Sequence, residues 1–287
     1  MEYKSFAKLN LFLDVISCYK NGYHSIKSLF VETNLFDTIQ FERNDIGKIR
    51  IFDKSNILPE ENLLKKASDK FIGVVGKIPF GIDFYIEKNI PIGGGMGGGS
   101  SNAASVLKIL NKAWNINFSQ KKLELIGVKI GADVPYFVKG GVQKVFGIGE
   151  ILKKLKTKKI DLNILLIFPE ISVSTPEAYK MIDEAKICKE TYFNNKKFKN
   201  LISGFENGSY SQIVDNLYNK FEEVVFKKHN ILSEIKANIL KSGADVSLMS
   251  GSGSTMFGIY ENSKKLEDGI EHLLKYNYKF KNIRLNF

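Results

Sequence analysis

The chain of 287 residues contains little cysteine, histidine and arginine. Cys18 and Cys188 are too few for a disulfide framework, and their spacing fits no known metal-binding motif. The three histidines are scattered at positions 24, 229 and 272, which argues against a histidine-based metal site. We therefore predict no metal-ligating residue.

Long apolar runs are also missing from the sequence. No stretch of about 18 apolar residues is present, so no transmembrane helix is predicted. The first residues, Met1–Ser5, lack the basic-then-apolar pattern of a signal peptide. We therefore expect a soluble protein of the reducing cytoplasm with no membrane partner. Hydrophobic residues make up 44% of the chain, which is enough to fill one large or two modest domains.

The net charge of +11 raises the question of nucleic-acid binding. Nearly all of the positive charge is lysine, because the only arginines are Arg43, Arg50 and Arg284. Nucleic-acid readers depend on arginine forks, so this composition argues against such a partner. The lysine-rich runs at 153–159 and 194–199 are interpreted as solvated loops. A basic surface would still attract small anionic substrates over long range.

A glycine-rich segment, Pro91–Ala104, is the most informative stretch of the chain. Six of the seven residues from 93 to 99 are glycine, so the backbone amides there are not covered by side chains. Ser100 and Ser101 are expected N-caps of a helix that continues to Trp114. Helical spacing places Ala103, Leu107, Leu110 and Trp114 on one apolar face of this helix. Bare amides that lead into a helix N-terminus favour anions, and we predict a polyphosphate site. A flexible linker is the weaker interpretation, because a strand-like run precedes the segment and an apolar helix follows it.

Two common phosphate motifs do not fit this segment. It lacks the Gly-Lys-Ser/Thr ending of a Walker A loop. A Gly-x-Gly-x-x-Gly pattern exists at Gly93, Gly95 and Gly98, but so many glycines make that match uninformative. No acidic residue lies near position 118 to bind a ribose, so the dinucleotide interpretation is rejected.

Two further segments carry polar groups suited to catalysis. Lys8 and Asn10 would share one face of a strand, although an edge lysine and a turn asparagine explain them about as well. Asp133 is predicted between a helix and a strand, where it is either a catalytic base or a turn-forming residue.

Two short turns complete the candidate motifs. Gly22–His24 is a turn with two amphipathic rings, and alone it is a weak signal. Ser250–Thr255 is either a plain hairpin turn or a second phosphate loop.

The remaining pattern predicts an α+β protein. In the first half we predict strands at 7–16, 28–41 and 80–87, helices at 62–75, 100–114 and 120–130, and two short strands within 135–149. In the second half we predict strands at 162–168, 246–249, 255–260 and 279–285, and helices at 176–185, 198–203, 210–226, 231–242 and 263–275. The lysine-rich run at 153–159 is the predicted domain boundary.

Taken in order, these motifs resemble the GHMP kinase superfamily, and the resemblance covers essentially the whole chain. It is carried by the segments 7–11, 22–24, 91–104, 131–135 and 250–254. The resemblance implies a two-domain GHMP kinase fold with the active site in the cleft between the domains. The expected domains are an N-terminal ATP-binding domain at 1–153 and a C-terminal domain at 154–287.

Within the superfamily, the resemblance is strongest to the members that phosphorylate 4-diphosphocytidyl-2-C-methyl-D-erythritol in non-mevalonate isoprenoid synthesis. It implies ATP as co-substrate, with Mg²⁺, and a monomer or weak homodimer without nucleic-acid or membrane partners. Another kinase of the superfamily, acting on homoserine or mevalonate, is the nearest alternative. An RNA- or DNA-binding protein is the alternative from a different class, and steep salt dependence would reveal it.

The resemblance also assigns roles to residues. Asp133 would take the proton of the substrate hydroxyl, and Lys8 would orient Asp133 and offset the charge of the transferring phosphoryl group. ATP binding is assigned to Asn62, Leu63, Lys88, Pro91, Gly93, Gly94, Gly95, Gly97, Gly98, Gly99, Ser100 and Ser101. Within this set, the phosphates would bind the 93–101 loop, and adenine would lie near Asn62, Leu63 and Lys88. Substrate binding is assigned to Asn10, Tyr23, His24, Asp133, Thr175, Tyr179, Gly251, Ser252 and Gly253. Tyr23, His24 and Tyr179 would hold the cytosine, and Asn10 would hold the methylerythritol portion.

Overall fold

The computed structural model describes all residues from Met1 to Phe287. The first half contains strands and helices in mixed order. These are β1 (Glu2–Cys18), β2 (His24–Asn44), β3 (Ile49–Asp53), α1 (Leu63–Val75), β4 (Gly81–Glu87), α2 (Gly98–Ala113), α3 (Gln120–Val128) and α4 (Val134–Lys139).

The second half continues the α+β pattern. Its elements are β5 (Val142–Phe146), β6 (Ile151–Lys154), β7 (Asn163–Phe168), α5 (Thr175–Glu184), α6 (Tyr192–Asn207), α7 (Tyr210–Val214), β8 (Tyr218–Asn219), α8 (Glu222–Lys228), α9 (Asn230–Lys241), β9 (Val246–Met249), β10 (Met256–Tyr260), α10 (Ser263–Leu274), β11 (Lys279–Ile283) and β12 (Leu285–Asn286). The predicted α+β class is therefore confirmed. No helix combines the length and apolar character needed to cross a membrane.

The chain divides into two compact units that are interleaved in sequence. Unit 1 comprises residues 1–7, 35–92 and 97–140, and unit 2 comprises 8–34, 93–96 and 141–287. Both long strands, β1 and β2, contribute residues to each unit. The predicted boundary between residues 153 and 154 separates two family domains, which are defined differently from these compact units. It therefore stays a prediction.

Unit 1 combines strand pairing with a packed helix layer. The second half of β2 pairs antiparallel with β4, and β4 pairs parallel with β3. Helix α2 buries the face predicted from its periodicity, with Ala103, Leu107 and Leu110 fully buried. Its C-cap residue Trp114 contacts Phe71 of α1 at a ring distance of 6.0 Å. The buried apolar face stabilises α2 far more than the intrinsic helix propensity of its residues.

Unit 2 contains a four-stranded antiparallel sheet in the order β11-β7-β10-β9. Its middle strand β7 is the apolar run Ile164–Ile167, which is fully buried as expected for a strand with both faces covered. The first half of β2 pairs with β5, and β5 pairs with β6. The short strands β8 and β12 pair with β1 and β2 respectively.

Several expectations about local structure were wrong. The run 194–199, interpreted as a solvated loop, lies within helix α6, and residues 153 and 154 of the other lysine-rich run belong to β6. Helix α2 begins at Gly98 with Gly97 as its N-cap, so Ser100 and Ser101 lie inside the helix rather than capping it. The segment 135–149 begins with helix α4 instead of a strand, because Pro135 fits the first turn of a helix, where its missing N–H costs no bond. The predicted helix 210–226 is two helices separated by β8.

The two cysteines also differ from expectation. Cys18, at the end of β1, and Cys188, after α5, are joined as a disulfide although 170 residues separate them in sequence. Both belong to unit 2. The sequence separation could not indicate this pairing. The entropic cost of closing a loop rises only slowly with its length, so distant cysteines can pair almost as readily as nearer ones.

Candidate active site

The glycine segment bends repeatedly through the left-handed region of backbone space. Gly93, Gly95 and Gly97 have φ values of 72°, 72° and 71°, which residues with a Cβ rarely adopt. Helix α2 then begins without a side-chain cap. The first backbone N–H groups of a helix have no partner within it, so this end can donate to an anion. The backbone geometry is compatible with the predicted phosphate site, which stays a prediction.

Ser101 does not point to the phosphate side of this helix start. Its hydroxyl donates to the carbonyl of Phe6 at 2.6 Å and shares a hydrogen bond of 2.8 Å with Ser5. The residue is only 3% exposed. Ser101 therefore fastens α2 to β1, whereas Gly99 is exposed and Ser100 is half-buried.

The carboxylate of Asp37 organises the segment before the glycines. Its Oδ1 atom accepts the backbone N–H groups of Asn89 at 2.7 Å and Ile90 at 2.8 Å. Its Oδ2 atom accepts from the Nδ2 of Asn102 at 2.9 Å and also binds the ammonium group of Lys88. Asp37 is fully buried, so four donors, one of them cationic, compensate the lost hydration of its charge.

Lys88, which was predicted to lie near adenine, is committed to this network. Its ammonium group also donates to the Oδ1 of Asn102 at 2.9 Å, and its side chain is 2% exposed. A Cβ placed on Gly98 would lie 3.3 Å from the Nζ of Lys88 and 2.9 Å from the Cγ2 of Ile90. Lys88 thus lies directly beneath the first turn of α2. Its role toward adenine stays a prediction.

Asn62 and Leu63, the other residues predicted near adenine, begin helix α1. The Oδ1 of Asn62 accepts the N–H groups of Leu64 and Lys65, both at 3.1 Å, and so caps the helix. A cavity of about 380 Å³ lies beside it and is lined also by Ile51 and Leu58. Such a volume suits a purine-sized ligand.

Asp53 shapes the loop at this cavity. It accepts the backbone N–H groups of Ser55, Ile57 and Leu58 at 2.6 to 2.8 Å. Burial would raise the pKa of the carboxyl group, but these amide hydrogen bonds outweigh it and hold the pKa below its ordinary value. The carboxylate is therefore charged at neutral pH and can accept these three hydrogen bonds.

The serine-rich turn 250–255 contacts the middle of the glycine segment. The Oγ of Ser250 donates to the carbonyl of Gly95 at 3.3 Å. A Cβ on Gly95 would lie 2.2 Å from the carbonyl oxygen of Ser250, so only glycine fits there. The hydroxyl of Ser252 in this turn lies 3.0 Å from that of Thr175, the first residue of α5. The structure thus brings the serine-rich turn together with the middle of the glycine segment and with Thr175 within unit 2.

Lys8 and Asn10 lie on the same face of β1, as the period of two predicts. The ammonium group of Lys8 donates to the Oδ1 of Asn10 and lies 4.5 Å from the ring centre of Phe30. The Nδ2 of Asn10 donates to the Oγ of Ser28 at 3.2 Å. Both side chains are buried and held by hydrogen bonds, so neither behaves as a solvated edge residue.

Asp133 occupies the N-cap position of α4, in unit 1, whereas Lys8 belongs to unit 2. Its side chain makes no capping hydrogen bond to that helix. The residue is half-buried. The choice between a catalytic base and a turn-forming residue therefore stays a prediction for Asp133.

Two of the three aromatic residues predicted to hold a pyrimidine are stacked. The rings of His24 and Tyr179 lie 4.5 Å apart with an angle of 23° between their planes. The Nε2 of His24 is 2.7 Å from the Oδ1 of Asp183, which fixes the orientation of the ring. Tyr179 also meets the edge of Phe221 at 5.0 Å. Tyr23 is 57% exposed, so its ring is available to a ligand.

Sequence reasoning missed Asp37 and Asn102. The signal for Asp37 was present, because Leu35, Asp37 and Ile39 alternate along β2 and all three are buried. A carboxylate on the apolar face of a strand is buried, so it needs hydrogen-bond or ion-pair partners. Its presence in the sequence therefore indicates a buried polar network. Asp183, the partner of His24, had no comparable signal, because its helix exposes it.

Family models match two stretches of the chain. The GHMP kinases N terminal domain matches residues 62–141, which include the glycine segment and Asp133. The GHMP kinases C terminal domain matches residues 201–279, which include the serine-rich turn. Together they cover more than half of the sequence.

Curated relatives match over nearly the full length. A protein of Clostridium perfringens, named 4-diphosphocytidyl-2-C-methyl-D-erythritol kinase, is 38% identical over 285 residues, which cover 99% of this chain and 96% of the relative. A protein of the same name from Clostridioides difficile is 37% identical and covers 95% of this chain and 90% of the relative.

Solved structures agree with the sequence matches. The crystal structure of a 4-(cytidine 5'-diphospho)-2C-methyl-D-erythritol kinase superimposes with a TM-score of 0.82 at 28% identity, and each chain is covered completely. The mevalonate kinase of Methanococcus jannaschii superimposes with a TM-score of 0.72 at 15% identity, covering 100% of this chain and 98% of that one. The second likeness shows a shared fold only.

Proposed function

This chain belongs to the GHMP kinase family, in its 4-diphosphocytidyl-2-C-methyl-D-erythritol kinase branch, and from that premise we propose how its residues act. The protein is an ATP-dependent kinase of non-mevalonate isoprenoid synthesis. It phosphorylates the 2-hydroxyl of 4-diphosphocytidyl-2-C-methyl-D-erythritol. The uncapped glycine start of α2 is the observation in the structure that best supports this function, because polyphosphates bind such helix ends.

For ATP, we propose that the phosphates bind the amides of residues 93–101 and that adenine binds near Asn62 and Leu63. Support comes from the left-handed glycines, the free helix start and the cavity beside Asn62. Asp37 and Lys88 stabilise the chain just before the glycine segment, because Asp37 accepts the N–H of Ile90 and binds the ammonium group of Lys88. A segment held in this way loses little entropy when a ligand binds.

For the second substrate, we propose that Tyr23, His24 and Tyr179 hold the cytosine. The support is that His24 and Tyr179 already form an ordered aromatic pair and that Asp183 fixes the imidazole. Aromatic faces bind nucleobases by stacking, and imidazole nitrogens hydrogen-bond to their edges. Asn10, Thr175, Gly251, Ser252 and Gly253 would contact the remainder of the substrate.

For the chemical step, we propose that Asp133 accepts the proton of the 2-hydroxyl as that oxygen attacks the γ-phosphorus of ATP. The bond from the γ-phosphorus to the bridging oxygen breaks, and ADP leaves. Lys8 would stabilise the negative charge that gathers on the transferring group and keep Asp133 oriented. Phosphoryl transfer depends mainly on positioning and electrostatics, so this small set of groups is sufficient.

We also propose that Mg²⁺ accompanies ATP. This ion prefers oxygen ligands and usually keeps several waters together with substrate phosphates. The structure gathers one group of three side chains suited to a metal, and its sulfur and imidazole donors do not suit Mg²⁺. The hydroxyl of Ser101 is engaged by Phe6 and Ser5. The ATP phosphates and water would therefore supply most of the ligands of Mg²⁺.

The decisive experiment compares acceptors. The full chain is incubated with ATP and Mg²⁺ together with 4-diphosphocytidyl-2-C-methyl-D-erythritol, homoserine or mevalonate, and ADP formation and product mass are measured. We expect ADP to form, and the mass to rise by one phosphoryl group, only with the cytidine-linked polyol. Phosphorylation of homoserine or mevalonate instead would contradict the proposed substrate.

Three finer expectations stay predictions: cytoplasmic location, a monomer or weak homodimer, and no nucleic-acid partner. Light scattering at two protein concentrations tests the oligomeric state. Retention on DNA or RNA at increasing salt tests the last expectation, because specific loss of binding with salt would reveal counterion release.

A further inference from the structure

Three side chains with the chemistry of metal ligands converge in unit 2. They are Cys18 at the end of β1, His24 at the start of β2, and Cys188 in the segment after α5. Their ligand atoms all lie within 4.8 Å of one another. Two sulfurs and one imidazole form a donor set that Zn²⁺ prefers, and four-coordinate zinc accommodates them with one position left.

A carboxylate completes this arrangement. The Oδ1 of Asp183 lies 2.7 Å from the Nε2 of His24 and 3.3 Å from the Sγ of Cys18. Histidines that bind metals usually donate their other ring N–H to a carboxylate, which fixes the tautomer and the ring plane. With Nε2 bound to Asp183, the Nδ1 atom of His24 is the nitrogen left for a metal. The stack on Tyr179 further limits rotation of the ring.

We propose that Cys18, Cys188 and His24 bind one zinc ion when the two cysteines are reduced. Asp183 orients His24, and water takes the fourth position. The sulfurs are joined in the structure, so the site forms only after a dithiol reductant supplies two electrons. The S–S bond then breaks, both cysteines become thiols, and the reductant becomes a cyclic disulfide. Zinc binding displaces one proton from each thiol.

The local geometry permits this change. Tetrahedral zinc with Zn–S bonds of about 2.3 Å places its two sulfurs about 3.8 Å apart. Cys18 is exposed and Cys188 is partly exposed. Neither side chain is locked in a core, so rotation about the Cα–Cβ bonds separates the sulfurs without moving a buried element.

A functional consequence follows, and it rests on the proposed function. If His24 contacts the cytosine, a zinc ion on His24 takes the same imidazole away from the substrate. Zinc and the cytidine-containing substrate then exclude each other. ATP is unaffected, because the residues proposed to bind it do not include this cluster.

The first test measures zinc binding without any nucleotide. The full chain is reduced with a dithiol, the reductant is removed under anaerobic conditions, and zinc is added in equilibrium dialysis. We expect one zinc per reduced chain and none in the oxidised chain. Cobalt in place of zinc should give a thiolate-to-metal charge-transfer band. A reduced chain that binds no zinc overturns the proposal.

Variants identify the ligands. Cys18→Ser, Cys188→Ser and His24→Gln should each weaken zinc binding at least tenfold, whereas Asp183→Asn should weaken it about tenfold. Glu184→Gln changes the exposed neighbour of Asp183 and serves as the matched control with unchanged binding. Melting temperatures confirm that each variant is folded. Undiminished zinc binding in both folded cysteine variants overturns the proposal.

The last test separates this inference from the proposed function. Cytidine diphosphate is titrated against the reduced chain with and without zinc, in the absence of ATP. We expect zinc to weaken its binding at least tenfold, and equal binding in both cases overturns the competition. A chain that binds zinc but phosphorylates no cytidine-linked polyol in zinc-free buffer supports the metal site and contradicts the proposed function.

Discussion

The carboxylate of Asp37 lies 2.8 Å from the backbone nitrogen of Ile90 and accepts its hydrogen bond. This contact fixes the chain just after β4, three residues before the first glycine of the phosphate segment. The same carboxylate binds Lys88 and Asn102. A single buried charge therefore positions the strand end and the helix start between which the glycine segment runs.

Asp37→Asn should destabilise the protein strongly. The substitution leaves the buried ammonium group of Lys88 without its counter-charge, and breaking a buried pair in this way typically costs about 3–5 kcal/mol. Urea denaturation measures the free energy of unfolding. Asp45→Asn, at an exposed position, is the control and should change it by less than about 0.5 kcal/mol. A loss below about 1 kcal/mol for Asp37→Asn would show that the pair contributes little.

Gly99→Asp should weaken ATP binding strongly while the fold is kept. A Cβ at Gly99 would lie 3.5 Å from the Cδ1 of Leu63, which is an ordinary contact. A carboxylate in the first turn favours a helix but repels a polyphosphate at the same place. We expect at least a tenfold loss of ATP affinity, about 1.4 kcal/mol, by calorimetry. Gly99→Asn is the neutral control and should lose much less.

Gly97 and Gly98 are poorer positions for this test. Gly97 has a φ of 71°, so any other residue there is strained. A Cβ on Gly98 would press against Ile90. Valine at either position should therefore reduce both stability and ATP affinity. Full ATP affinity in a folded Gly99→Asp variant would place the phosphates elsewhere.

Tyr179→Ala should weaken binding of the cytidine-linked substrate by about 1–3 kcal/mol, the usual loss when an aromatic platform under a base is removed. ATP affinity should hardly change. Tyr179→Phe keeps the ring and should bind nearly as the parent does. Tyr192, which is 86% exposed, provides the control Tyr192→Ala. Equal losses for both ligands would mean that Tyr179 has a structural role or contacts ATP.

Asp133→Asn should lower kcat by about 10²–10⁴-fold with little change in KM, because the amide cannot accept a proton. Lys8→Ala should also reduce kcat severely. The double variant should lose far less than the product of the two effects, because the residues are proposed to act as one unit. The melting temperature of each variant is measured beside its activity.

Asp161→Asn, at an exposed position, is the control for charge removal. If Asp133→Asn keeps kcat within about threefold of the parent, well inside the range expected for a general base, then Asp133 is not the base. A lower melting temperature with normal activity per folded molecule would support the turn-forming interpretation instead.

Asp83 should make stability depend on pH in the acid range. The hydrogen bonds from Arg50 hold the pKa of its carboxyl group below the ordinary value of 3.8. The folded state therefore favours the charged form, and this stabilisation is fully present above about pH 4. It is lost as the pH falls through the lowered pKa of the folded state.

The measurement compares the parent with Asp83→Asn by urea denaturation between pH 7 and pH 2. We expect a difference of about 1 kcal/mol at neutral pH, because the guanidinium group is partly exposed and screened. The difference should shrink below about pH 4. Glu170→Gln removes an exposed pair with Lys279 and should change little at any pH. A difference that stays constant to pH 2 would exclude the linkage.

Much of this fold could be predicted from the sequence, because the residues buried on one face of a helix or strand recur at a regular spacing. The face Ala103, Leu107 and Leu110 of α2 and the apolar strand at 164–167 were predicted and are buried. The order of the motifs was also sufficient to identify the family. These signals are local, so each can be read from a short window of residues.

The errors occur where a distant contact outweighs a local preference. Ser101 is a good N-cap by type, but its hydroxyl bonds to Phe6, 95 residues earlier, and the helix starts at the glycines instead. The apolar run after Asp133 is as compatible with a strand as with a helix, and Pro135 decides for the helix. The contact of Cys18 with Cys188 depends on the whole of unit 2 and has no local signal.

The interleaving of the two units has a consequence during synthesis on the ribosome. All residues of unit 1 have emerged once residue 140 is outside the exit tunnel, whereas unit 2 needs residues 8–34 together with the last strands of the chain. The C-terminal strand β12 pairs with Glu32 and Thr33, more than 250 residues earlier. The first half of the protein can therefore reach its compact state early. The apolar segments of β1 and β2 that belong to unit 2 must wait for the end of translation, exposed to chaperones in the meantime.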